Sequence, residues 1–411
     1  PLCQISAKKF DSLSDSESAP LYNTSGIHTG NYFVVFKPIN YKCIYEHLLN
    51  FKKGIKFLKY IFDRDTWKGY LASLSSDALE AVRRDKRVEY VESEAFATAF
   101  DTFDATDYEC EDSAKENCEI CSEIHETKNW ALERISHKNE FLNKGYRYAG
   151  PQIETDAVAN DIFICVIDTG VRITHEEVKG RAEWGKNFVC TEKREDLNGH
   201  GTAVSSVAMG KTAGVAKEAN VIAVKVLDQF GRGSYGTVIK GINYCVDQAK
   251  SKKVIINMSL GGPKSKTVDM AVEEAYNKNI PIIVAAGNEY ENVENVSPAR
   301  ANGAFAVAAC NRNNSFAKYS NYGEKIKIIA PGTNVYCAHA KSNTAMTALS
   351  GTSLAAPVVS GIFAQLISSQ SDQIKVDKLY ASVLQNANKN VLKEVPASTG
   401  NLLAYNGCCP E

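Results

Sequence analysis

No stretch of this sequence stays apolar for the roughly 20 residues that a bilayer-spanning helix needs, so no membrane span is expected. A surplus of charge is also missing. The chain has 47 Lys and Arg against 48 Asp and Glu, a net charge of -1. A surface so balanced has no field with which to hold a phosphate backbone, which argues against nucleic acid as a partner. No internal repeat is present. The opening Pro1-Leu2-Cys3-Gln4-Ile5-Ser6 lacks the basic start and apolar stretch of a signal peptide, so any leader is expected to have been removed already.

What is there is ample for a large core. The 411 residues are 44% hydrophobic and 23% charged, the mix of a soluble globular protein of two or three domains. Twelve cysteines, a high and even count, lean toward an oxidising compartment and some disulfides. Four N-x-S/T triplets, at Asn23, Asn257, Asn295 and Asn313, are compatible with secretion, although Asn257 lies in an apolar run that reads as buried.

Composition divides the chain. Residues 1–29, rich in Ser and Asp, read as a mobile tail. Residues 30–97 read as a small α+β module. Its strands are Tyr32 to Phe36, Tyr70 to Leu74 and Val88 to Glu92. Ile44, Leu48, Leu49 and Phe51 lie near helical spacing, and Ser76 can cap a helix with Leu79 and Val82 inside. Residues 98–128 read as an acidic linker, since 101–126 carry ten acidic side chains that repel one another. Residues 129–407 alternate strand and helix. Apolar runs at Ile162 to Ile167, Val221 to Leu227, Val254 to Ser259 and Ile282 to Ala286 suit strands covered on both faces. Strands near Ala304 to Ala309 and Ile326 to Ile329 precede a helix buried through Val358, Val359, Ile362, Phe363 and Leu366. The expected class is α/β, a parallel sheet with helices on both sides, preceded by the small module. Active residues should then lie where strands end and helices begin.

Several motifs point elsewhere and fall short. Gly231-Arg232-Gly233-Ser234-Tyr235-Gly236 fits a dinucleotide fingerprint, but the next strand ends in Ser259-Leu260-Gly261-Gly262 with no acid to hold a ribose. Gly210-Lys211-Thr212 lacks the earlier glycine of a phosphate loop. His175-Glu176-Glu177-Val178-Lys179 lacks the second His of a zinc-protease helix. Cys110, Cys118, Cys121 and His125 are irregularly spaced for zinc. Neither a cofactor nor a metal is expected. The Cys408-Cys409 pair has no account.

Three segments carry chemistry. Asp168 follows a buried run and precedes Thr169-Gly170. His200 sits in Asn198-Gly199-His200-Gly201-Thr202. Ser353 sits in Ser350-Gly351-Thr352-Ser353, where the last long helix begins, with Pro357 placed in its first turn. A serine hydroxyl is a poor nucleophile until a base takes its proton. Histidine is the base suited to neutral pH, and a carboxylate fixes its tautomer and stabilises the cation formed. A helix start turns backbone N–H groups toward a developing oxyanion. Alone, each residue is more often a turn Asp, a structural His or an N-cap Ser. Together, in the order Asp, His, Ser, they are much less often coincidental.

These motifs resemble the three catalytic signatures of subtilisin-type serine proteases, closest to the proteinase K subgroup. Ala285-Ala286-Gly287-Asn288 resembles the segment whose Asn completes the oxyanion hole, and Asn129 to Ser136 resembles the start of the mature enzyme. The resemblance implies an endopeptidase acting through an acyl-enzyme, with Asp168, His200, Ser353 and Asn288 catalytic. It implies that Gly231 and Tyr235 line one edge for an extended peptide, and Ser259, Leu260 and Gly261 the other. Ala285, Ala286 and Gly287 would wall the pocket for the residue before the cut. That wall carries no carboxylate, so the implied preference is broad or apolar. Residues 30–97 resemble the family's inhibitory propeptide, which implies a self-processed zymogen cut between Val91 and Asn129. The implied partners are protein or peptide substrates and the chain's own propeptide, in a secreted monomer. The alternative is a silent protease-like binding protein or a permanently inhibited precursor. Ala203 and Val204 depart from the family's usual His and Cys. Lys327 stands where related enzymes place a calcium-binding Asp, and Val391 where a second calcium carboxylate is expected, which implies little calcium dependence.

Overall fold

The computed structural model describes residues 18–24, 29–38, 41–100, 124, 125, 127, 129–138, 145–147, 161–368 and 375–407. Most of the N-terminal tail, nearly all the acidic linker with Cys110, Cys118, Cys121 and the side chain of His125, and Cys408-Cys409 lie outside the described residues. The chain forms two compact units. One comprises residues up to Phe96 with Ser265–Thr267; the other is formed by Ala97–Lys264 and Val268–Glu411.

In the first unit, strands β1 (Leu21–Tyr22), β2 (Asn31–Phe36), β3 (Ile55–Asp63), β4 (Lys68–Leu74) and β5 (Val88–Ser93) form a sheet ordered β1-β5-β2-β4-β3. Helices α1 (Tyr41–Asn50) and α2 (Ser76–Arg83) supply Ile44, Ala78 and Val82 to one core with Val34, Phe36, Tyr70, Ala72, Val88 and Val91. The α2 cap is Ser75, one residue earlier than the sequence suggests; its hydroxyl accepts from Ala78 N at 3.2 Å. Strand β3 has no counterpart in the sequence expectation. It is a sheet edge with Lys56, Phe57, Leu58 and Lys59 all exposed, so no inward-outward alternation marks it. Two lysines along such an edge oppose pairing with a second chain.

The second unit is built on a nine-stranded sheet. Its strands are β7 (Ile162–Asp168), β8 (Ala182–Asn187), β9 (Asn220–Lys225), β11 (Lys253–Met258), β13 (Ile282–Ala285), β15 (Phe305–Cys310), β16 (Ile326–Pro331), β17 (Asn388–Lys389) and β18 (Leu402–Leu403). The order is β8-β9-β7-β11-β13-β15-β16-β18-β17. All pairings are parallel except β17 with β18. The order reverses at β7, where the chain leaves β9 and crosses to β11. In open parallel sheets, the crevice at such a reversal, beyond the carboxyl ends of the strands, is where ligands bind. Asp168 is the last residue of β7. Helices α4 (His200–Met209) and α7 (Thr352–Ser368) pack together on this sheet and are buried almost throughout, as suits sequences of apolar and small residues without Asp, Glu, Lys or Arg.

Among the described residues one disulfide is present, Cys165 to Cys245, joining β7 to helix α5 (Tyr235–Gln248). The pairing could not be read from spacing alone. It closes a separation of 80 residues. Restricting so long a loop in the unfolded chain stabilises the fold by about 4 kcal/mol on chain-entropy grounds. The Cys165→Ala, Cys245→Ala double variant is therefore expected to lose about that much in urea unfolding. A loss below about 1 kcal/mol would contradict the assignment.

Candidate active site

The site begins with two hydrogen bonds to one oxygen. Asp168 Oδ1 accepts from His200 Nδ1 at 2.7 Å and from its neighbour's backbone, Thr169 N, at 2.6 Å. Both side chains of the pair are fully buried. Burial pushes the Asp168 carboxyl above its ordinary range, opposed by the charge and hydrogen bond of His200. With its Nδ1 proton committed to Asp168, the imidazole has Nε2 as its basic nitrogen. His200 is the first residue of α4, after Gly199 in the left-handed region (φ 104°).

Ser353 lies at the start of α7, within a cluster around Gly351. A Cβ added to Gly351 would meet Ser353 Oγ at 2.9 Å, Asn288 Nδ2 at 3.1 Å and Phe100 O at 2.4 Å. Only a glycine leaves that hollow open. Asn288 Nδ2 donates to Phe100 O at 2.9 Å, and the Ser353 hydroxyl is in direct contact with the same carbonyl oxygen. The orientation of the Asn288 amide is fixed chemically. Its Oδ1 accepts from Thr352 N and Thr352 Oγ1, both at 2.9 Å, which leaves Nδ2 turned toward the hollow. Thr352 was not singled out in the sequence, although it stands in the same Gly-Thr-Ser triplet.

The placement of Pro357 differs from the sequence expectation. It is the sixth residue of α7, in the second turn rather than the first. Proline has no N–H, so the carbonyl four residues earlier, that of Ser353, loses its helical donor. Ser259 replaces it, donating its hydroxyl to Ser353 O at 2.9 Å. Ser259 is held in turn by Asn257 Nδ2 at 3.0 Å, which explains why Asn257 is buried.

Residues 97–100 run through the cleft as an extended peptide. Strand β6 (Phe96–Ala99) is antiparallel to β12 (Leu260–Pro263), with Ala99 opposite Leu260 and Thr98 opposite Gly261. Phe100 N donates to Ser259 O at 3.4 Å. On the other side Ala99 N donates to Gly231 O at 2.9 Å, just before β10 (Arg232–Ser234). The glycine-rich segment thus flanks this extended stretch of the chain, and its Ser234 caps α5. Tyr235 is the first residue of α5, buried, with its hydroxyl donating to Pro263 O. Gly261 lies against the Phe100 ring, where a Cβ would meet Phe100 Cζ at 2.6 Å. Ala285 and Ala286 are fully buried and lead through Gly287 (φ 108°) into Asn288.

A serine and an amide both turned to one carbonyl, and a histidine held by a buried carboxylate, are the side chains that the serine-protease class uses. The comparisons agree. Residues 159–401 match the model of the subtilase family (Peptidase_S8). The cuticle-degrading serine protease of Arthrobotrys oligospora is 35% identical over 358 residues, covering 85% of this chain and 80% of that protein. Cerevisin of Saccharomyces cerevisiae is 34% identical over 361 residues, covering 83% and 53%. A cold-adapted subtilisin-like serine proteinase of known structure aligns with TM-score 0.61 and 31% identity over 67% of this chain and 97% of its own. The chain belongs to the subtilase family and is a serine endopeptidase.

Proposed function

We propose that the protein is a secreted, monomeric endopeptidase made as a zymogen that cuts its own chain after Phe100. The observation that carries this reading is the Phe100 carbonyl lying on Asn288 Nδ2 and against Ser353 Oγ. In this reading residues 30–97 form an inhibitory propeptide, 98–128 a linker that is cut, and 129–407 the catalytic domain. Ser353 attacks the Phe100 carbonyl carbon while His200 takes the hydroxyl proton, and Asp168 stabilises the imidazolium. The oxyanion is held by Asn288 Nδ2 and the Ser353 N–H. His200 then gives the proton to the amine of residue 101, which leaves, and water releases the acyl group by the same steps reversed. The cut product keeps its strand pairing in the groove and so inhibits until it is lost.

The same segment supports a preference. From Ala97 to Phe100 the side chains differ in burial. Ala97 is enclosed, Thr98 exposed, Ala99 half-buried, and Phe100 enclosed at 5% exposure. An aromatic or large apolar residue before the cut, with a small residue three places upstream of it, fits that pattern better than a charged one. Secretion is supported by the Cys165–Cys245 disulfide, a bond that reducing compartments disfavour.

The deciding experiment expresses wild type beside Ser353→Ala and identifies the fragments by mass. Wild type should release an N-terminal fragment ending at Phe100, and the variant should stay whole. A fragment ending at another residue, or an uncut wild type that still reacts with a fluorophosphonate, would overturn the self-cutting reading.

A further inference from the structure

His200 and Asp168 are not the whole of the buried charge at this site. Four residues before His200, Asp196 is 7% exposed and accepts four hydrogen bonds. Its Oδ1 accepts from Thr169 Oγ1 and Gly199 N, each at 2.8 Å. Its Oδ2 accepts from Thr202 N at 2.9 Å and Thr202 Oγ1 at 2.6 Å. Thr169 Oγ1, tied to Asp196, accepts from Gly201 N at 2.9 Å. One carboxylate therefore holds the residue after Asp168 and the residues on both sides of His200. The N-cap of α4, Gly199, has no side chain for the task; His200 N donates to Asn198 Oδ1 at 3.1 Å, and the amides of Gly201 and Thr202 are satisfied from this network.

We propose that Asp196 is a positioning residue for the proton-transfer pair: it locks the backbone under Asp168 and His200 together and, as a second buried negative charge, helps stabilise the imidazolium of the transition state. The inference rests on the reading of Asp168, His200 and Ser353 as the catalytic group. Its reach is electrostatic as well as steric: burial does most to push the Asp168 carboxyl upward, and the like charge of Asp196 adds a smaller push in the same direction. A carboxylate that disfavours a second anion favours a cation at the same place.

The other charged groups around the imidazole do not compete for this role. Asp168 is the hydrogen-bonded partner on β7. On β9, Lys225 is buried but donates to Thr169 O at 2.6 Å and Leu227 O at 3.0 Å, and is paired with Glu192 at 2.9 Å. Arg172 is spent on Asn343 Oδ1 at 2.7 Å and Ala340 O at 3.0 Å, with its N–H on Thr202 Oγ1 at 2.9 Å. Helix α7, which packs on α4, carries no charged residue.

The test compares Asp196→Asn, Asp196→Glu and Thr202→Val with wild type, using the pH dependence of fluorophosphonate labelling of Ser353 and of peptide-anilide hydrolysis. Asn keeps the shape and removes the charge. The acid limb of kcat/KM should fall by about half to one pH unit, and kcat by about tenfold to a hundredfold, with KM within about twofold. Thr202→Val removes one donor and keeps the charge, so it should lower the melting temperature and leave the acid limb in place. Asp196→Glu should keep the limb near wild type. If Asp196→Asn does not fold, Asp196→Ser, whose hydroxyl can still accept from Thr202 N, is read in its place. An acid limb unmoved in the charge-free variant, with only stability reduced, would overturn the proposal as a plain structural role. A wild type in which Ser353 is not labelled at all would overturn the catalytic reading, and this inference with it.

Discussion

Ser353→Ala is expected to lower turnover of a peptide anilide by about 10⁶-fold, the loss that removing the nucleophile causes in subtilisin itself. The effect should be so large because the other groups act through the hydroxyl. His200 has no proton to take from a methyl group, and Asn288 has no oxyanion to hold when no tetrahedral adduct forms. The residual rate, about 10³- to 10⁴-fold above water, would belong to binding and to the polar hollow around Gly351. The stability of the variant should be close to wild type. The Ser353 hydroxyl bonds to Phe100 O, whereas the buried backbone of Ser353 stays tied to Ser259. Activity within tenfold of wild type would remove Ser353 from the nucleophile's role.

Asn288→Leu is the second large effect. Leucine fills much the same volume but has no N–H, so the developing oxyanion loses one of its two proposed donors while the groove that binds the peptide is unchanged. Turnover should fall by about 100- to 1,000-fold with KM nearly constant, a range known from the equivalent change in subtilisin. The structure adds a cost on the ground state. Thr352 N and Thr352 Oγ1 both lose their acceptor in Asn288 Oδ1, so the loop from Ala286 to Glu291 should loosen and the melting temperature drop by a few degrees. Measuring kcat and KM separately distinguishes the two losses. A rise in KM at constant kcat would assign Asn288 to substrate binding and not to the oxyanion.

The three side chains proposed to react stand out in the sequence because each interrupts a pattern. Asp168 ends an apolar strand with a charge, His200 opens an otherwise apolar helix, and Ser353 follows Gly-Thr before another. The parallel sheet was legible for a similar reason, its strands being buried on both faces and hence continuously apolar. What could not be read depends on distant residues. Asp196 resembles an ordinary loop acid until Thr169, Gly199 and Thr202 converge on it. The hydroxyl that replaces the amide missing at Pro357 comes from Ser259, 94 residues before the Ser353 carbonyl that it satisfies. Strand Ile55–Asp63 escaped because an exposed edge carries no alternating burial, and Phe100 because nothing local distinguishes an aromatic residue at the head of an acidic run.

In the proposed self-cutting reaction, the pleat of the bound segment restricts which bond can be cut. Neighbouring positions on an extended chain face opposite ways, and the ladder to Leu260 and Gly261 fixes which carbonyl reaches the nucleophile. Sliding the chain by one place would present Ala99 at the reacting centre and turn the aromatic ring out into water. Sliding by two would restore the facing but offer Thr98 to the aromatic slot. On that proposal, insertions or deletions in the stretch before residue 97 should leave the scissile bond where it is, because the phase of the strand, more than its length, sets which carbonyl is presented.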